Sequence, residues 1–267
     1  MEPPAMPPTL QSIDLPLGPC IRGKVRDSWD LGARRLIVTT DRQSAFDRVL
    51  GTVPFKGQIL TAMTEWWFRR TADLLPNHLL DKPDPNCLLV RRALITPTTK
   101  AQDGGHDRPL SRAELVAEGW VPESVYQRME AAALALFARG QALAAERGLI
   151  LVDTKYEFGD CEGELLLVDE IHTVDSSRYW EAASYAERFA AGEEPETFDK
   201  EFLRRWYVDQ GYRGEGEPPP LPAALAERMS RSYRAALERL TGEAFRPDEA
   251  PPEERILANL RRAGLLA

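Results

Sequence analysis

Two apolar runs in the middle of the chain, each ending in acid, constrain the fold most. Leu149-Ile-Leu-Val-Asp153 and Glu164-Leu-Leu-Leu-Val-Asp169 are short and apolar on both faces. That pattern belongs to strands inside a covered sheet rather than to half-exposed ones. A turn around residues 159–163 separates them, so the expectation is a hairpin whose two strands both end in carboxylates. Buried strands of this kind deliver the residues that follow them to a sheet end, where ligand loops are mounted. In Asp153-Thr154-Lys155-Tyr156-Glu157, alternation puts residues 153, 155 and 157 on one strand face. Acid, ammonium and acid in that order suit a nucleotide, the acids holding Mg²⁺ and the lysine neutralising phosphate. A surface ladder of alternating charge, contributing about 0.2–1 kcal/mol per cross-strand pair, has the same local pattern. Asp169-Glu170 at the end of the second run adds a further candidate metal ligand.

Around this centre the chain divides into strands first and helices later. Residues 1–18 read as a loose, proline-rich lead-in, and Arg35-Leu-Ile-Val-Thr-Thr40 and Cys87-Leu-Leu-Val-Arg91 as strands. Apolar positions at helical spacing mark a helix over 58–75. A polar loop occupies 97–110, and Ser111 with Glu114 forms a capping box ahead of a short helix. A long Ala- and Leu-rich helix over 122–147 stops at Gly148, and further helices are expected over 198–212 and 221–241. The order suggests an α+β fold, with a smaller N-terminal lobe of antiparallel strands over 19–95 and a larger α/β C-terminal lobe over 96–267.

Three further clusters carry candidate chemistry. In Gly23-Lys24-Val25-Arg26-Asp27, glycine admits a phosphate close to the backbone, and two cations alternate along an expected strand. A solvated basic edge reads the same way, and no Walker A loop occurs. Thr40-Asp41-Arg42-Gln43-Ser44-Ala45-Phe46-Asp47 follows an apolar strand; a substrate loop and a self-bonded Asx turn are equally compatible with it. Asp175-Ser176-Ser177-Arg178 suits an anion held by a fork of donors, or a helix N-cap.

A net charge of −8 excludes a broad nucleic-acid surface but leaves room for a local basic pocket. Three widely spaced cysteines form no zinc or disulfide pattern, which fits a reducing compartment such as the cytoplasm. No apolar run reaches membrane-spanning length. Of the three histidines, His78 reads as a surface residue, and His106 and His172 are not obvious bases.

The ordered stretches GKVRD, TTDRQSAFD, VPFKGQILT, TPTTKAQDGGHD, ILVDTKYEFG, LLLVDEIHTVDSSRYW and FDKEFLRRWY resemble the SAICAR synthetase family from about Gly23 to Trp206. The resemblance implies a kinase-like N-terminal nucleotide lobe. It implies an ATP- and Mg²⁺-dependent ligase that joins L-aspartate to the carboxylate of carboxyaminoimidazole ribonucleotide through an acyl phosphate. Carried over by matching position, Gly23, Lys24, Arg26 and Lys155 would lie along ATP, with Val90 and Arg91 near the adenine. Glu157 would serve nucleotide and metal, and Asp169 the metal. Asp153, Lys155 and Asp175 form the expected catalytic set. Asp41, Ser44 and Asp47 would shape the substrate region, and Ser177, Arg178, Lys200 and Arg204 would hold substrate anions. Neither nucleic acid nor membrane is an expected partner, and a homo-oligomer is compatible with the sequence.

The chain departs from the family between Arg91-Arg92-Ala93 and Thr96-Pro97-Thr98-Thr99-Lys100. Relatives carry several dozen more residues there, including an Arg-Gly-Tyr-x-x-Gly-Ser stretch that helps bind the ribonucleotide. The alternatives are therefore a paralogous carboxylate–amine ligase for another substrate, or an ATP-binding protein without turnover. A small-molecule kinase would leave the Asp-Ser-Ser-Arg and Asp-Arg-Gln-Ser-Ala-Phe-Asp clusters without a role.

Overall fold

The computed structural model describes residues 7–94 and 110–267. The expected polar loop, with the matched stretch TPTTKAQDGGHD, His106 and the boundary between the two expected lobes, lies outside the described residues.

The N-terminal half builds an antiparallel five-stranded sheet in the order β1 (Cys20–Arg22), β2 (Arg26–Asp30), β3 (Arg34–Thr39), β7 (Cys87–Arg91), β6 (Leu79–Asp84). Alternation gives this sheet two different faces. Trp29, Leu36, Val38 and Cys87 point to one side and are buried there. They pack with Ile256 and Leu260 of α7 (Pro252–Arg262) and with Leu10, Ile13 and Leu15. The lead-in is thus not loose between Leu10 and Leu15: those three apolar positions, interrupted by polar ones, close the same core as the last helix. Arg26, Ser28, Arg35 and Ile37 face the other way, into a cleft.

β4 (Arg42–Ala45) and β5 (Arg48–Thr52) form a separate hairpin that leads into α1 (Lys56–Thr71). The expected helix therefore exists, starting two residues earlier and ending four earlier than its apolar spacing suggested. Gly57 is required there: a Cβ at this position would stand 2.2 Å from Asn86 Nδ2 and 2.3 Å from the Thr39 carbonyl oxygen. After the undescribed loop come α2 (Arg112–Ala117), opened by the expected Ser111–Glu114 capping box, and α3 (Glu123–Glu146).

The central hairpin differs from expectation. β8 (Leu149–Asp153) pairs with β11 (Arg178–Glu181), whereas β10 (Glu164–Val168) pairs with β9 (Glu157–Cys161). The turn sits at Glu162-Gly163, both at positive φ, which fits a tight two-residue connection. Residues 154–156 are irregular, so Asp153 ends one strand and Glu157 begins another. They do not share a strand face. The expected pattern failed because only one of the two apolar runs needed the intervening segment as its partner. The helices α4 (Ala182–Ala190), α5 (Glu201–Asp209) and α6 (Ala223–Thr241) complete an α+β fold. Its larger core gathers α1, α3, α6 and the strands β8 and β10 around Trp67, Leu149, Leu167 and Tyr233. Among the described residues no helix is long and apolar enough to cross a membrane.

Candidate active site

A cleft of about 180 Å³ separates the polar face of the five-stranded sheet from the β9–β10 hairpin. Ile37, Val90, Ala93 and Val168 give it an apolar floor, and Arg26, Arg35, Arg92, Glu157 and Asp169 a charged rim. Backbone bonds hold the two walls in register: Leu167 receives the His78 amide at 3.1 Å, and the His78 carbonyl accepts from Arg91 at 2.7 Å. His78 is buried at this junction, against the expectation of a surface residue. Its ring packs edge-on with Phe68 of α1, centroids 5.5 Å apart.

Charges from both walls meet across the cleft. Arg26 donates to Asp169 at 2.5 Å and pairs with Glu170 at 2.6 Å. Burial alone would lower its pKa, but Asp169 and Glu170 hold it above the ordinary arginine value. Lys155 Nζ lies 2.9 Å from Glu157 and 3.4 Å from Asp169. Burial again opposes the charge, and Asp169 and Glu157 overcome it, so this lysine is firmly cationic. Val90 and Arg91 line the same cleft. The structure thus brings Arg26, Val90, Arg91, Lys155, Glu157 and Asp169 together at one cleft.

Lys24 stands apart. It lies in the β1–β2 turn rather than on a strand face with Arg26, and it pairs with Asp47 at 2.5 Å, both side chains exposed. Gly23 closes that turn: its amide donates to the Arg26 carbonyl at 2.7 Å, and a Cβ would meet the same oxygen at 2.9 Å.

A second charge cluster lies deeper. Asp175 is buried and accepts from Lys56 at 3.2 Å, Tyr233 at 3.2 Å and Lys200 at 3.4 Å. Burial would raise the pKa of its carboxyl, but Lys56 and Lys200 hold it well below the usual range. Lys56 is wholly buried, which lowers its own pKa, and it also donates to the Arg42 carbonyl at 2.8 Å. Asp175 caps no helix, contrary to one of the two expected readings; the chain passes instead into β11. Lys56 and Tyr233 were not singled out beforehand. A lysine inside the otherwise apolar helix start Val53-Pro-Phe-Lys56 was the available signal.

Arg178 and Asp153 form a forked ion pair, with Nε 3.0 Å from Oδ2. Ser177 Oγ donates to Thr154 at 2.8 Å. Arg178 also lines a polar recess of about 240 Å³ with Trp180, Thr197, Asp199 and Arg205. Lys200 immediately precedes α5, and Arg204 on α5 lies 3.6 Å from Glu201. Ser44 is half-buried in β4, where the pairing with β5 shifts register.

Asp41 departs from its expected place in the substrate region. It is buried, and its two oxygens accept the amides of Gly57 at 2.8 Å and Leu10 at 2.7 Å. It therefore caps α1 and anchors the lead-in. Burial raises its pKa to about 6 despite those amides.

The clefts fit the groups the resemblance implies. Glu157 and Asp169 lie within reach of one ammonium, and Mg²⁺ bound beside nucleotide phosphates requires only one or two carboxylates. Among the described residues no group of three or more His, Cys, Asp or Glu forms a self-sufficient metal cage. A metal here would therefore need oxygens from its ligand as well.

The family model for SAICAR synthetase matches residues 19–95 and 90–219. The chain is 42% identical to phosphoribosylaminoimidazole-succinocarboxamide synthase of Legionella pneumophila (strain Paris), over 96% of this chain and 99% of that one. It is 38% identical to the chloroplastic phosphoribosylaminoimidazole-succinocarboxamide synthase of Arabidopsis thaliana, over 91% of this chain and 72% of that one. Among solved structures, SAICAR synthase from Saccharomyces cerevisiae complexed with SAICAR matches with a TM-score of 0.74 at 28% identity, over 89% of this chain and all of that one. The Legionella alignment runs to 312 positions, although the 96% of this 267-residue chain that enters it is about 256 residues. The relative thus carries about 56 positions that this chain lacks, and the two matched pieces of the family model meet at 90–95, where the departure was expected. The chain belongs to the SAICAR synthetase family, ATP-dependent ligases of purine biosynthesis.

Proposed function

We propose that the cleft between the sheet and the β9–β10 hairpin binds ATP with Mg²⁺, and that the enzyme joins L-aspartate to the carboxylate of carboxyaminoimidazole ribonucleotide. The observation that carries this reading is Lys155, held between Glu157 and Asp169, opposite Arg26 on the facing wall. An apolar floor suits a purine, and the cationic rim suits its phosphates. Glu157 and Asp169 would hold the metal, which when bound shields charge between the phosphate oxygens. With three free cysteines, Cys20, Cys87 and Cys161, we place the reaction in the cytoplasm.

In the proposed sequence a substrate carboxylate oxygen attacks the γ-phosphorus, and the bond to the ADP oxygen breaks. The aspartate amine then attacks the acyl carbon; inorganic phosphate departs, and the surplus amine proton leaves with it or to solvent. Arg26 and Lys155 neutralise phosphate charge through both steps. Arg178, Ser177, Lys200 and Arg204 hold substrate carboxylates and phosphate, with Asp175 orienting Lys200. No covalent enzyme intermediate is required; positioning and charge supply the rate. Lys24 and Asp47, paired at the cleft's outer turn, would separate when phosphate claims the lysine.

The test is ADP release with carboxyaminoimidazole ribonucleotide, L-aspartate and Mg²⁺, each omitted in turn. Release that requires all three supports the reading. The absent 56 or so positions favour a second reading, in which the same ATP chemistry serves another carboxylate. ATP binding without release on this ribonucleotide, followed by aspartate-dependent release on a different carboxylate, would replace the first reading with the second.

A further inference from the structure

We propose that Tyr156 and His172 form a strut that fixes the spacing of the two loops bearing the nucleotide-facing charges, and that both are positioning residues for the ligase. The proposal rests on the reading of Lys155, Glu157 and Asp169 given above.

Tyr156 sits between Lys155 and Glu157, and His172 lies three residues beyond Asp169 and three before Asp175. The Tyr156 hydroxyl and His172 Nε2 are 2.6 Å apart, so one hydrogen bond ties the 154–157 segment to the 169–175 segment. The anchor end of that bond is rigid. His172 is fully buried, and its ring meets that of Trp67 on α1 in a T-shaped contact, centroids 4.6 Å apart at 90°. Gly140 on α3 leaves room for the imidazole and nothing more: a Cβ there would stand 2.5 Å from Cε1 and 2.9 Å from Nδ1. The Tyr179 hydroxyl on β11 donates to the His172 carbonyl at 2.6 Å. Three elements thus converge on one residue, two on its ring and one on its carbonyl.

The backbone supports the same conclusion. Asp169 and His172 have φ of 63° and 52°, in the left-handed region that side chains with a Cβ adopt at a cost. Such conformations persist when the surroundings over-determine them, and here the clamp on His172 does so at one end of the loop. Among the described residues His172 Nδ1 is buried without a partner, an unfavourable state that an apolar ring of similar size would avoid. What the imidazole retains in return is the bond to Tyr156. Lys155 faces Asp169 at 3.4 Å, and a loop displaced by a fraction of an ångström alters that spacing and loses rate before it loses the fold.

The test compares four single variants and one double variant, using MgATP binding by calorimetry, steady-state kinetics and urea unfolding. Lys155→Met comes first and should abolish or strongly weaken MgATP binding. If it does not, the reading of the cleft fails, and with it the proposal. Tyr156→Phe removes only the hydroxyl and should lower kcat about tenfold and weaken MgATP severalfold, while leaving KM for L-aspartate unchanged. His172→Phe should match it and add nothing when combined with Tyr156→Phe, whereas His172→Gln, which keeps an acceptor, should recover part of the rate. Wild-type kcat and MgATP affinity in Tyr156→Phe, with Lys155→Met defective, would overturn the strut alone. Equal loss in His172→Phe and His172→Gln would overturn it too, since packing and not the bond would then be at work.

Discussion

Several of the ionisable residues that organise this molecule are buried, and burial sets the direction in which each responds to pH. His172, enclosed by Trp67, Gly140 and Tyr156, has its pKa lowered by desolvation to about 3. The unfolded chain binds a proton at this histidine below about pH 6.5, whereas the folded protein does not until far lower. Its contribution to stability is therefore complete above pH 6.5 and is lost as the pH falls towards 3. Asp41 acts in the opposite sense: burial raises its pKa to about 6, so its contribution is present below about pH 4 and lost as the pH rises through 6. Urea midpoints measured between pH 4.5 and 7.5 should show this. In His172→Phe the slope of stability against pH below pH 6 should fall by about 1.4 kcal/mol per pH unit. An unchanged slope would mean that His172 titrates normally in the fold. At Lys56 the expected effect is larger than at a surface pair, because removing one partner of a buried ion pair strands the other. Asp175 keeps Lys200 and Tyr233 in Lys56→Met, so the loss should sit at the low end for buried pairs, about 3 kcal/mol by urea denaturation. A loss under about 1 kcal/mol would show that Lys200 and Tyr233 together satisfy the carboxylate.

At the scale of elements, the last helix does more than end the chain. α7 packs Ile256 and Leu260 against Trp29 and Leu36 on the face of the sheet opposite the cleft. Arg255 is buried and reaches Asp84 at 3.1 Å on β6. Its Nη1 also donates to the Asp248 carbonyl at 3.0 Å, and Gln58 on α1 exchanges two bonds with the Asp248 backbone, at 2.8 and 2.9 Å. The helix, the sheet edge and the start of α1 are thus one assembly, and Asp41 joins the lead-in to it. Ile256→Ala should cost about 3 kcal/mol, the usual range for a large-to-small change in a filled core. Amide exchange in β2 and β3 should accelerate along with that in α7; acceleration in α7 alone would mean that the helix is an independent appendage. This assembly also marks where sequence reading stopped. Runs such as Cys87–Arg91 and Leu149–Asp153 declared themselves as strands because their apolar character is local. The helix of residues 252–262 gave no such signal because its apolar positions are few and its value comes from a sheet at the far end of the sequence. The same holds for the site. Lys155, Glu157, Asp169 and Arg26 were legible as charges at the ends of strands, whereas the pairing of β8 with β11 and the cap made by Asp41 depend on contacts that no local pattern encodes.

The whole molecule holds its cleft between two cores. Trp29 is fully buried in the smaller core and Trp67 in the larger. Between them lie the Arg26–Asp169–Glu170 ion pairs, the backbone bonds at His78 and Leu167, and the proposed nucleotide site. If these links couple the cores, the chain unfolds as one unit, and a ligand bound in the cleft stabilises both by the same amount. Incorporation of 5-fluorotryptophan, with the Trp29 and Trp67 resonances assigned through Trp29→Phe and Trp67→Phe, lets fluorine NMR follow each core through a single urea titration. The two native signals should vanish at the same midpoint. MgATP at a hundredfold excess over its dissociation constant should add about 2.7 kcal/mol to both. Separate midpoints without nucleotide that merge in its presence would mean that the ligand, not the protein, joins the two halves. A shift confined to Trp67 would place the nucleotide on the β9–β10 wall alone, and would take from Arg26 and the facing sheet their part in binding it.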